Sequence, residues 1–298
     1  MNNKTLKIIL IVILSILVVG LSIFFISIMT NKKINIGNIS FGSNNVNDEL
    51  VIDTEYETIF ESINIKSDAG NIEVKQHNAD KVKLVIYGYK KGTKVNNTDN
   101  LLDITSKAKN CIGFCFNKKI SQVLVYLPKT YSGEITIENN YGDVTVDKFD
   151  DLTLNAKLNA GTIKTDSLTN GFIKNDYGDI EISGYSKKLE IEQAAGDIKV
   201  STVDRIKAHN NYGNIEIEKV NEYLDVEEDC GDVKIDSINI KEDSKIENSL
   251  GDIKIGSTNE INIKADTSLG DTKINNNYSN SDITLTIENS CGDIKVNN

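Results

Sequence analysis

The sequence predicts an all-β fold, a single-stranded, β-helix-like β-solenoid with about 17–22 residues per coil, preceded by one transmembrane helix. Three observations predict it. A glycine phrase recurs through most of the chain, aliphatic residues alternate on both sides of each glycine, and one uncharged apolar run lies near the N-terminus. No helical period is found beyond that run.

The N-terminal apolar run is long enough to cross a bilayer. Ile8 to Met29 holds 22 residues without a charge, and a helix of about 20 apolar residues spans the hydrocarbon core. A cleaved signal peptide is the alternative, but its apolar region is shorter and ends in a small-x-small site, which this run lacks. We therefore predict a cytoplasmic tail at 1–7, a signal-anchor in the lipid bilayer at 8–29, and an extracytoplasmic C-terminal domain on a single-pass protein of the cell membrane.

Two regions separate the anchor from the regular repeats. Residues 30–50 are rich in Asn, Ser and Gly and predict a linker. Residues 51–132 hold one early glycine phrase at Gly70, a further alternating stretch and the single proline, Pro128. They predict an irregular β cap region that opens the stack. The β-solenoid repeats are predicted at 133–298.

The repeat phrase is Gly, then usually Asp or Asn, then an aliphatic, a variable and a second aliphatic residue. Apolar residues stand seven and five positions before most of these glycines, so each repeat holds two short strands around a corner. We favour stacked coils over hairpins because each repeat position keeps its chemistry, as parallel in-register stacking requires. The predicted structural turn ladder consists of Gly142 and Asp143, Gly178 and Asp179, Gly196 and Asp197, Gly231 and Asp232, Gly251 and Asp252, Gly270 and Asp271, and Gly292 and Asp293.

The aspartates of this ladder predict turn caps, because a carboxylate accepts backbone N–H groups in turns. Calcium binding, as in glycine-rich β-rolls, is the alternative. The GGxGxD run of those proteins is missing here, and a lysine two residues after each of the last four aspartates can neutralise the row. We predict no metal and no cofactor.

Two further rows flank the glycine. Large and small residues alternate immediately before it, which predicts interdigitated packing in an interior corner. An exposed aromatic ladder that grips a ligand is the alternative. The first five residues of this row are Tyr141, Ala160, Tyr177, Ala195 and Tyr212. Asparagines three positions before the glycine, such as Asn139 and Asn175, predict amides that hydrogen-bond along their own row.

The four cysteines form two groups. Cys111 and Cys115 predict a disulfide that closes a small loop outside the cytoplasm. Cys230 and Cys291 stand immediately before repeat glycines, three coils apart or about 14 Å, which is too far for a disulfide. They are predicted as small buried side chains.

Composition argues against several functions. The chain carries 33 Lys and Arg against 44 Asp and Glu, a net charge of -11, which argues against nucleic-acid binding. The chain has two histidines, which argues against a histidine-based catalytic triad or a histidine-rich metal site. No acid stands out from its row and no inserted loop can form cleft walls, so we predict no catalytic residues and no enzyme.

The glycine phrases, the V-x-V-x-L-P-K stretch at Val123 to Lys129 and the N-terminal span resemble the bacterial β-strand-repeat "putative adhesin" family. The resemblance covers residues 51–298. It implies a β-solenoid at the cell surface or envelope, and some relatives are linked to envelope-stress responses. The family has no assigned catalytic residues.

The sequence therefore predicts a non-enzymatic binding, adhesion or scaffolding role at the bacterial cell envelope, with an envelope polymer or a protein as ligand. Two alternatives stay open. One is a sensor or regulator of envelope stress that acts through a membrane partner. The other is a scaffold that polymerises end to end, because the chain stops within a coil whose strand edges would be unpaired.

Overall fold

The computed structural model describes residues 34–36, 39–41, 49–108 and 121–297. The predicted anchor at 8–29 and the predicted disulfide between Cys111 and Cys115 lie outside these residues. Within them, no helix has the length and apolar character needed to cross a membrane. Their regular structure is β apart from one 3-10 turn at Lys90–Gly92, which confirms the prediction of an all-β chain.

The strands fall into a short hairpin and one large sheet. Among the described strands, β1 and β2 pair only with each other, antiparallel, within the predicted linker. The strands up to the first regular repeat are β1 Ile34–Ile36, β2 Ile39–Phe41, β3 Glu49–Tyr56, β4 Ser62–Ser67, β5 Gly70–His77, β6 Val82–Gly88, β7 Thr93–Asn97, β8 Leu101–Ser106 and β9 Ser121–Pro128. Those that follow are β10 Glu134–Tyr141, β11 Val144–Val146, β12 Thr153–Ala160, β13 Ile163–Thr165, β14 Asn170–Tyr177, β15 Ile180–Ala195, β16 Ile198–Tyr212, β17 Ile215–Cys230, β18 Val233–Ile238, β19 Ser244–Leu250, β20 Ile253–Thr258, β21 Asn262–Leu269, β22 Thr272–Ile274, β23 Thr284–Cys291 and β24 Ile294–Val296.

Each coil of the large sheet has a strand before the repeat glycine and a strand after it. Neighbouring coils pair in parallel and in register, so that Ile137 of β10 lies opposite Ala156 of β12 and Val144 of β11 lies opposite Ile163 of β13. The inward residues at seven and five positions before the glycine and at two and four positions after it form the core. Ile135, Ile137 and Val144 are buried completely. Burial of such a side chain stabilises the fold by about 1.5–3 kcal/mol.

The order of coils differs from the order of the chain at the N-terminal end. β4 and β5 stack against β10 and β11 on one side and against β8 and β9 on the other. β4 and β5 come first in the chain but form the second coil of the stack. β6 and β7 connect them to β8 and β9, which form the outermost coil at this end. β6 lies antiparallel on β9, and β7 lies antiparallel on β8. Two stacked coils therefore lie within residues 51–132, and antiparallel strands cover the outer one.

The coil order is also exchanged at the C-terminal end. β23 and β24, the last strands of the chain, stack between β19 with β20 and β21 with β22. The expectation that the last coil of the sequence lies open at the end of the stack is wrong. The coil of β21 and β22 is outermost instead. The connection between β22 and β23 has enough residues to step over one coil.

A row of buried polar side chains lines the inside of the corner, three positions before the glycine. Asn139 Nδ2 donates to the carbonyl of Gly70 in the neighbouring coil at 2.9 Å, and Gln193 Nε2 donates in the same way to Gly178 at 2.9 Å. The prediction of amide-to-amide bonds is wrong, because the nearby glycine carbonyls take these donors. The side chains that donate across coils are Asn139, Asn175, Gln193, Asn210, Asn248, Asn289 and Thr267.

Glu228 occupies this same row, where most neighbours carry an amide. Its side chain is 1% exposed. The backbone N–H of Cys230 donates to Oε1 at 3.2 Å, whereas Oε2 is buried without a hydrogen-bond partner among the described residues. Burial raises the pKa of this carboxyl to about 7, although hydrogen bonds from Asn210 and Cys230 act in the opposite direction. In its protonated form Glu228 can donate to a carbonyl, as the amides do.

Paired cysteines test the exchanged coil order. Glu247 lies opposite Glu288 in the structure, whereas sequential stacking would place it opposite Asp266. Neighbouring strands are about 4.8 Å apart, within disulfide range, and strands two coils apart are not. In a background with the native cysteines changed to Ser, we expect Glu247→Cys with Glu288→Cys to oxidise to a disulfide and Glu247→Cys with Asp266→Cys to remain reduced, as peptide mapping by mass spectrometry would report. A disulfide between positions 247 and 266, with none between 247 and 288, would show that the coils stack in the order of the chain.

The buried carboxyl of Glu228 predicts a pH-dependent stability. Its pKa is about 7 in the fold and 4.5 in an unfolded chain, so folding favours the protonated form. The stabilisation is complete below about pH 4.5 and is lost as the pH rises through about 7. Glu228→Gln should increase the free energy of unfolding by up to about 3 kcal/mol at pH 8 and by much less at pH 5.

Denaturant unfolding of both chains at several pH values, followed by circular dichroism, measures this difference. Gln193→Glu is the matched control, because it places a second carboxyl in the same row and should add the same pH dependence. A difference between wild type and Glu228→Gln that does not change with pH would contradict the prediction.

Candidate functional site: the outer rows of the glycine corner

The corner of each coil is formed by a glycine, and most of these glycines have a positive φ. Gly142 has a φ of 124° and Gly178 a φ of 118°, a region that residues with a Cβ avoid. A Cβ at Gly142 would collide with the carbonyl oxygen of Gly70, and one at Gly178 with that of Gly161. Successive coils therefore approach closely here. The other glycines of the predicted ladder occupy equivalent corners, at Gly196, Gly231, Gly251, Gly270 and Gly292.

The residues that follow these glycines form an outward row, which we call the carboxylate row. Asp143 Oδ1 accepts the backbone N–H of Thr162 at 2.9 Å, and Asp179 Oδ1 accepts that of Asp197 at 3.0 Å. These bonds bind one coil to the next rather than capping a turn within one coil. The same bond is made to the next coil by Asp197, Asn214, Asp232, Asp252 and Asp293, the last of which bonds to Asp271 of the outermost coil.

The carboxylate row is arranged to hydrogen-bond one coil to the next. One oxygen of each carboxylate in these bonds is engaged with backbone. The Asp293 N–H and the Lys254 ammonium lower the pKa of Asp252, and the Lys254 Nζ lies 3.0 Å from its Oδ2. Among the described residues, no group of three His, Cys, Asp or Glu side chains is placed to hold a metal.

The residues immediately before the glycines form a second outward row, which we call the corner ribbon. Tyr141, Tyr177 and Tyr212 are 63–65% exposed. The prediction that this row packs inside the corner is therefore wrong, and the alternative of an exposed aromatic ladder matches the structure. The backbone begins to turn after the inward amide row, so the next two residues both face solvent and the alternation of the strand ends there.

Large and small side chains alternate along the corner ribbon through the whole regular stack. In the order of the chain the alternation fails near its end, where Leu250 is followed by Leu269. In the order of the stack it is complete, because Cys291 lies between these two leucines. In stacking order the ribbon consists of Tyr141, Ala160, Tyr177, Ala195, Tyr212, Cys230, Leu250, Cys291 and Leu269.

The two cysteines of the ribbon differ from the sequence-based prediction. Cys291 is exposed and Cys230 is half-buried, and both are free thiols. They are two coils apart in the stack rather than three, because Leu250 is the single ribbon residue between them. The prediction of buried side chains is wrong for Cys291, since the row to which it belongs faces solvent.

Polar residues border the corner ribbon on both sides. The carboxylate row runs along one side. On the other side, two positions before the glycines, Asn159 Nδ2 donates to Asn140 Oδ1 at 3.1 Å. The first five members of this outer row are Asn140, Asn159, Asp176, Ala194 and Asn211, all polar except the alanine. The ribbon is thus an exposed apolar strip between two rows of hydrogen-bonding groups.

Another outward row lies three positions after the glycines and carries charges of both signs. Lys164 Nζ lies 2.8 Å from Glu181 Oε2 in the neighbouring coil. Lys234 contacts Asp236 of its own strand at 3.3 Å. These side chains are well exposed, so each pair stabilises the fold by less than about 1 kcal/mol. This face is a solvated charged surface, and it leaves the corner ribbon as the exposed apolar feature that repeats from coil to coil.

Three solved structures similar to this chain are described as adhesion proteins. A "putative adhesin" from Bacteroides fragilis is 18% identical and has a TM-score of 0.42, with 84% of this chain and 97% of that chain covered. One from Parabacteroides merdae is 14% identical with a TM-score of 0.45, and the coverage is 84% and 98%. A "putative cell adhesion protein" from Clostridium sporogenes is 11% identical with a TM-score of 0.22, and the coverage is 82% and 99%. No curated protein matches this chain.

The family comparison covers most of the chain. Residues 60–221 and 183–298 match the model of the family described as Toastrack DUF4097. The two matches overlap and together include every coil of the stack. They agree with the resemblance that the glycine phrases indicate. This chain belongs to the Toastrack DUF4097 family.

Proposed function

We propose that this chain is a membrane-anchored, extracytoplasmic β-solenoid with a non-enzymatic binding role, adhesion or scaffolding, at the bacterial cell envelope. The apolar run Ile8 to Met29 supports the anchor. The solved structures similar to this chain are described as adhesion proteins, which is consistent with binding. The parallel in-register stacking of the coils supports the solenoid.

The corner ribbon carries the binding proposal. Monomeric soluble proteins rarely expose long contiguous apolar strips, and such strips mark sites of interaction. Tyrosine is the residue type that recognition surfaces favour, because it offers a large rigid contact area together with a polar end. Here three tyrosines repeat at every second coil, and Leu269, in the outermost coil, is 70% exposed. The strip is not needed for the core, which lies on the opposite side of the backbone.

A non-enzymatic role is supported by the placement of the acids. A general acid must lie within hydrogen-bond reach of its substrate. Glu228 has a raised pKa, but its side chain is buried inside the stack. The exposed aspartates of the carboxylate row repeat the same backbone contact in successive coils.

Self-association is a second candidate, favoured by the uncovered end of the stack. β21 and β22 pair on one side only among the described strands, whereas antiparallel strands cover the other end. Contact through one free end gives a closed dimer rather than a filament. Sedimentation of the full-length chain at rising concentration should then show no species larger than a dimer, and a constant monomer mass would exclude this candidate.

Removal of the ribbon tyrosines tests the binding role. We expect full-length protein in detergent micelles to be retained on isolated cell-envelope fractions, and the triple variant Tyr141→Ala, Tyr177→Ala, Tyr212→Ala to lose most of that retention. These side chains are exposed, so each change should alter the free energy of unfolding by about 0.5 kcal/mol or less. Tyr278→Ala is the control, because Tyr278 is an exposed tyrosine outside the ribbon. Equal retention of the triple variant and wild type would contradict the proposal.

Chelation tests the role of the carboxylate row. Because Asp143 and its equivalents each engage an oxygen with backbone N–H groups, we expect calcium chelation to change neither the melting temperature nor the retention on envelope fractions. Differential scanning calorimetry measures the melting temperature, and the retention assay on envelope fractions measures binding. A melting temperature that falls on chelation and recovers with added calcium would make the row a metal site.

A further inference from the structure

We infer that the ligand of the corner ribbon is an extended, uncharged β-1,4-linked glycan whose sugar rings stack on Tyr141, Tyr177 and Tyr212. This inference rests on the proposed binding function and names the chemical class of its ligand. The observations that carry it are the spacing of the tyrosines, the gaps between them and the polar rows on both sides.

The spacing of the tyrosines matches such a chain. Tyr141 pairs with Ala160, and Tyr177 pairs with Ala195, so one coil lies between successive tyrosines. Two coils advance by about 10 Å, and two hexose units of an extended β-1,4-linked glycan advance by nearly the same length. Alternate sugars of such a chain present the same face, because each unit is turned over relative to the one before. The three tyrosines can therefore contact the first, third and fifth sugars of one straight chain.

The space above Ala160 and Ala195 can hold the sugar units that do not stack on a tyrosine. A methyl side chain leaves room above it, so the second and fourth units can lie over the alanines without a clash. A ribbon of consecutive tyrosines would fill this space. The alternation thus provides evenly spaced ring contacts for an extended polymer rather than a pocket for a compact ligand.

The two flanking rows supply the polar contacts that a sugar needs. One oxygen of Asp143 and of Asp179 is bound to backbone, which leaves the second free to accept hydrogen bonds from hydroxyl groups. Asn140 and Asn159, on the other side, offer amide groups at the surface. Apolar ring faces between rows of acceptors and amides match the apolar faces and polar rim of a pyranose ring.

Charge and spacing argue against two other classes of polymer. The chain has a net charge of -11, and the carboxylate row runs beside the ribbon through most coils. A phosphate-bearing or otherwise anionic polymer would be repelled along its whole length. A cationic polymer would be attracted, but nothing in the alternation of rings and gaps fits a flexible charged chain.

A second copy of this chain is the other occupant to consider. The ribbon is self-complementary, because a shift of one coil places each large residue opposite a small one. Two ribbons in contact would, however, bring two carboxylate rows against each other, and like charges at close range oppose association. The structure therefore favours the glycan.

Oligosaccharides of defined length test this inference. We would measure binding of β-1,4-linked gluco-oligosaccharides and chito-oligosaccharides of two to six units to the full-length chain in detergent micelles by isothermal titration calorimetry. Affinity should rise about three- to tenfold at the third unit and again at the fifth, with smaller gains at the fourth and sixth, because each odd unit adds a ring contact. An α-1,4-linked pentasaccharide, which curves, should bind more weakly than its β-linked isomer.

Single variants assign the contacts. Tyr177→Ala should remove most of the gain at the third unit, because three units can then reach only one tyrosine. Tyr177→Phe should retain that gain, because stacking needs the ring and not the hydroxyl. Tyr278→Ala should leave every affinity unchanged. Absence of binding to all β-linked oligosaccharides, or affinities that do not depend on length, would overturn the inference.

The outcomes separate this inference from the proposed function. Tyrosine-dependent retention on envelope fractions without binding of β-1,4-linked oligosaccharides would overturn the glycan assignment and leave the binding role in place. If the triple variant keeps both retention on envelope fractions and oligosaccharide binding, the glycan assignment and the binding role of the ribbon are both overturned. A dimer that forms with rising concentration and is abolished by the triple variant would assign the ribbon to a second copy and also overturn the inference.

Discussion

Backbone hydrogen bonds between glycine corners hold the rows of this protein in register. The N–H of Gly161 donates to Tyr177 O at 2.9 Å, and the N–H of Gly178 donates to Ala195 O at 2.9 Å. Such contacts are possible because a glycine with positive φ lets successive backbones approach without a Cβ between them. Once the corners are fixed, the remaining positions of each repeat lie above the equivalent positions of the neighbouring coil. The core, the amide row, the carboxylate row and the corner ribbon all depend on this constraint.

The stacking also determines what each row can tolerate. Equivalent side chains lie about 4.8 Å apart, so a row of identical charges would repel itself. The carboxylate row is stabilised because the aspartates before the outermost coil accept a backbone N–H from the next coil, and Thr162 and Asn214 interrupt the run of charges. The amide row must supply hydrogen-bond donors, whereas the carboxylate row supplies acceptors. It lies inside, where glycine carbonyls need donors, and Glu228 meets that requirement only in its protonated form.

Much of this arrangement could be predicted from the sequence, because the rows are visible as repeat positions. The two strands per repeat, the inward aliphatic rows and the glycine corner follow from the period of the phrase. The exposure of Tyr141 and its equivalents could not be predicted in this way. Alternation extended from the strand places that row inside, and only the geometry of the turn shows that two consecutive residues face solvent.

The exchange of coils could not be predicted for a different reason. The spacing of repeats in the sequence gives the order of coils along the chain and not their order in space. One signal was present. The alternation of large and small ribbon residues fails at Leu269 in the sequence and is restored when Cys291 is placed before it. Steric complementarity between neighbouring coils can thus reveal a non-sequential order that local patterns cannot.

The exchanged order at the C-terminal end has a consequence for the biogenesis of the protein. β21 and β22 pair only with β23 and β24 among the described strands. As the chain emerges vectorially, the coil of β21 and β22 lacks its partner strands until β23 and β24 arrive and insert beside β19 and β20. A premature stop before Thr284 would therefore remove one coil from the polypeptide and leave a second one unpaired. Residues 284–296 thus determine whether the coil of β21 and β22 can join the stack.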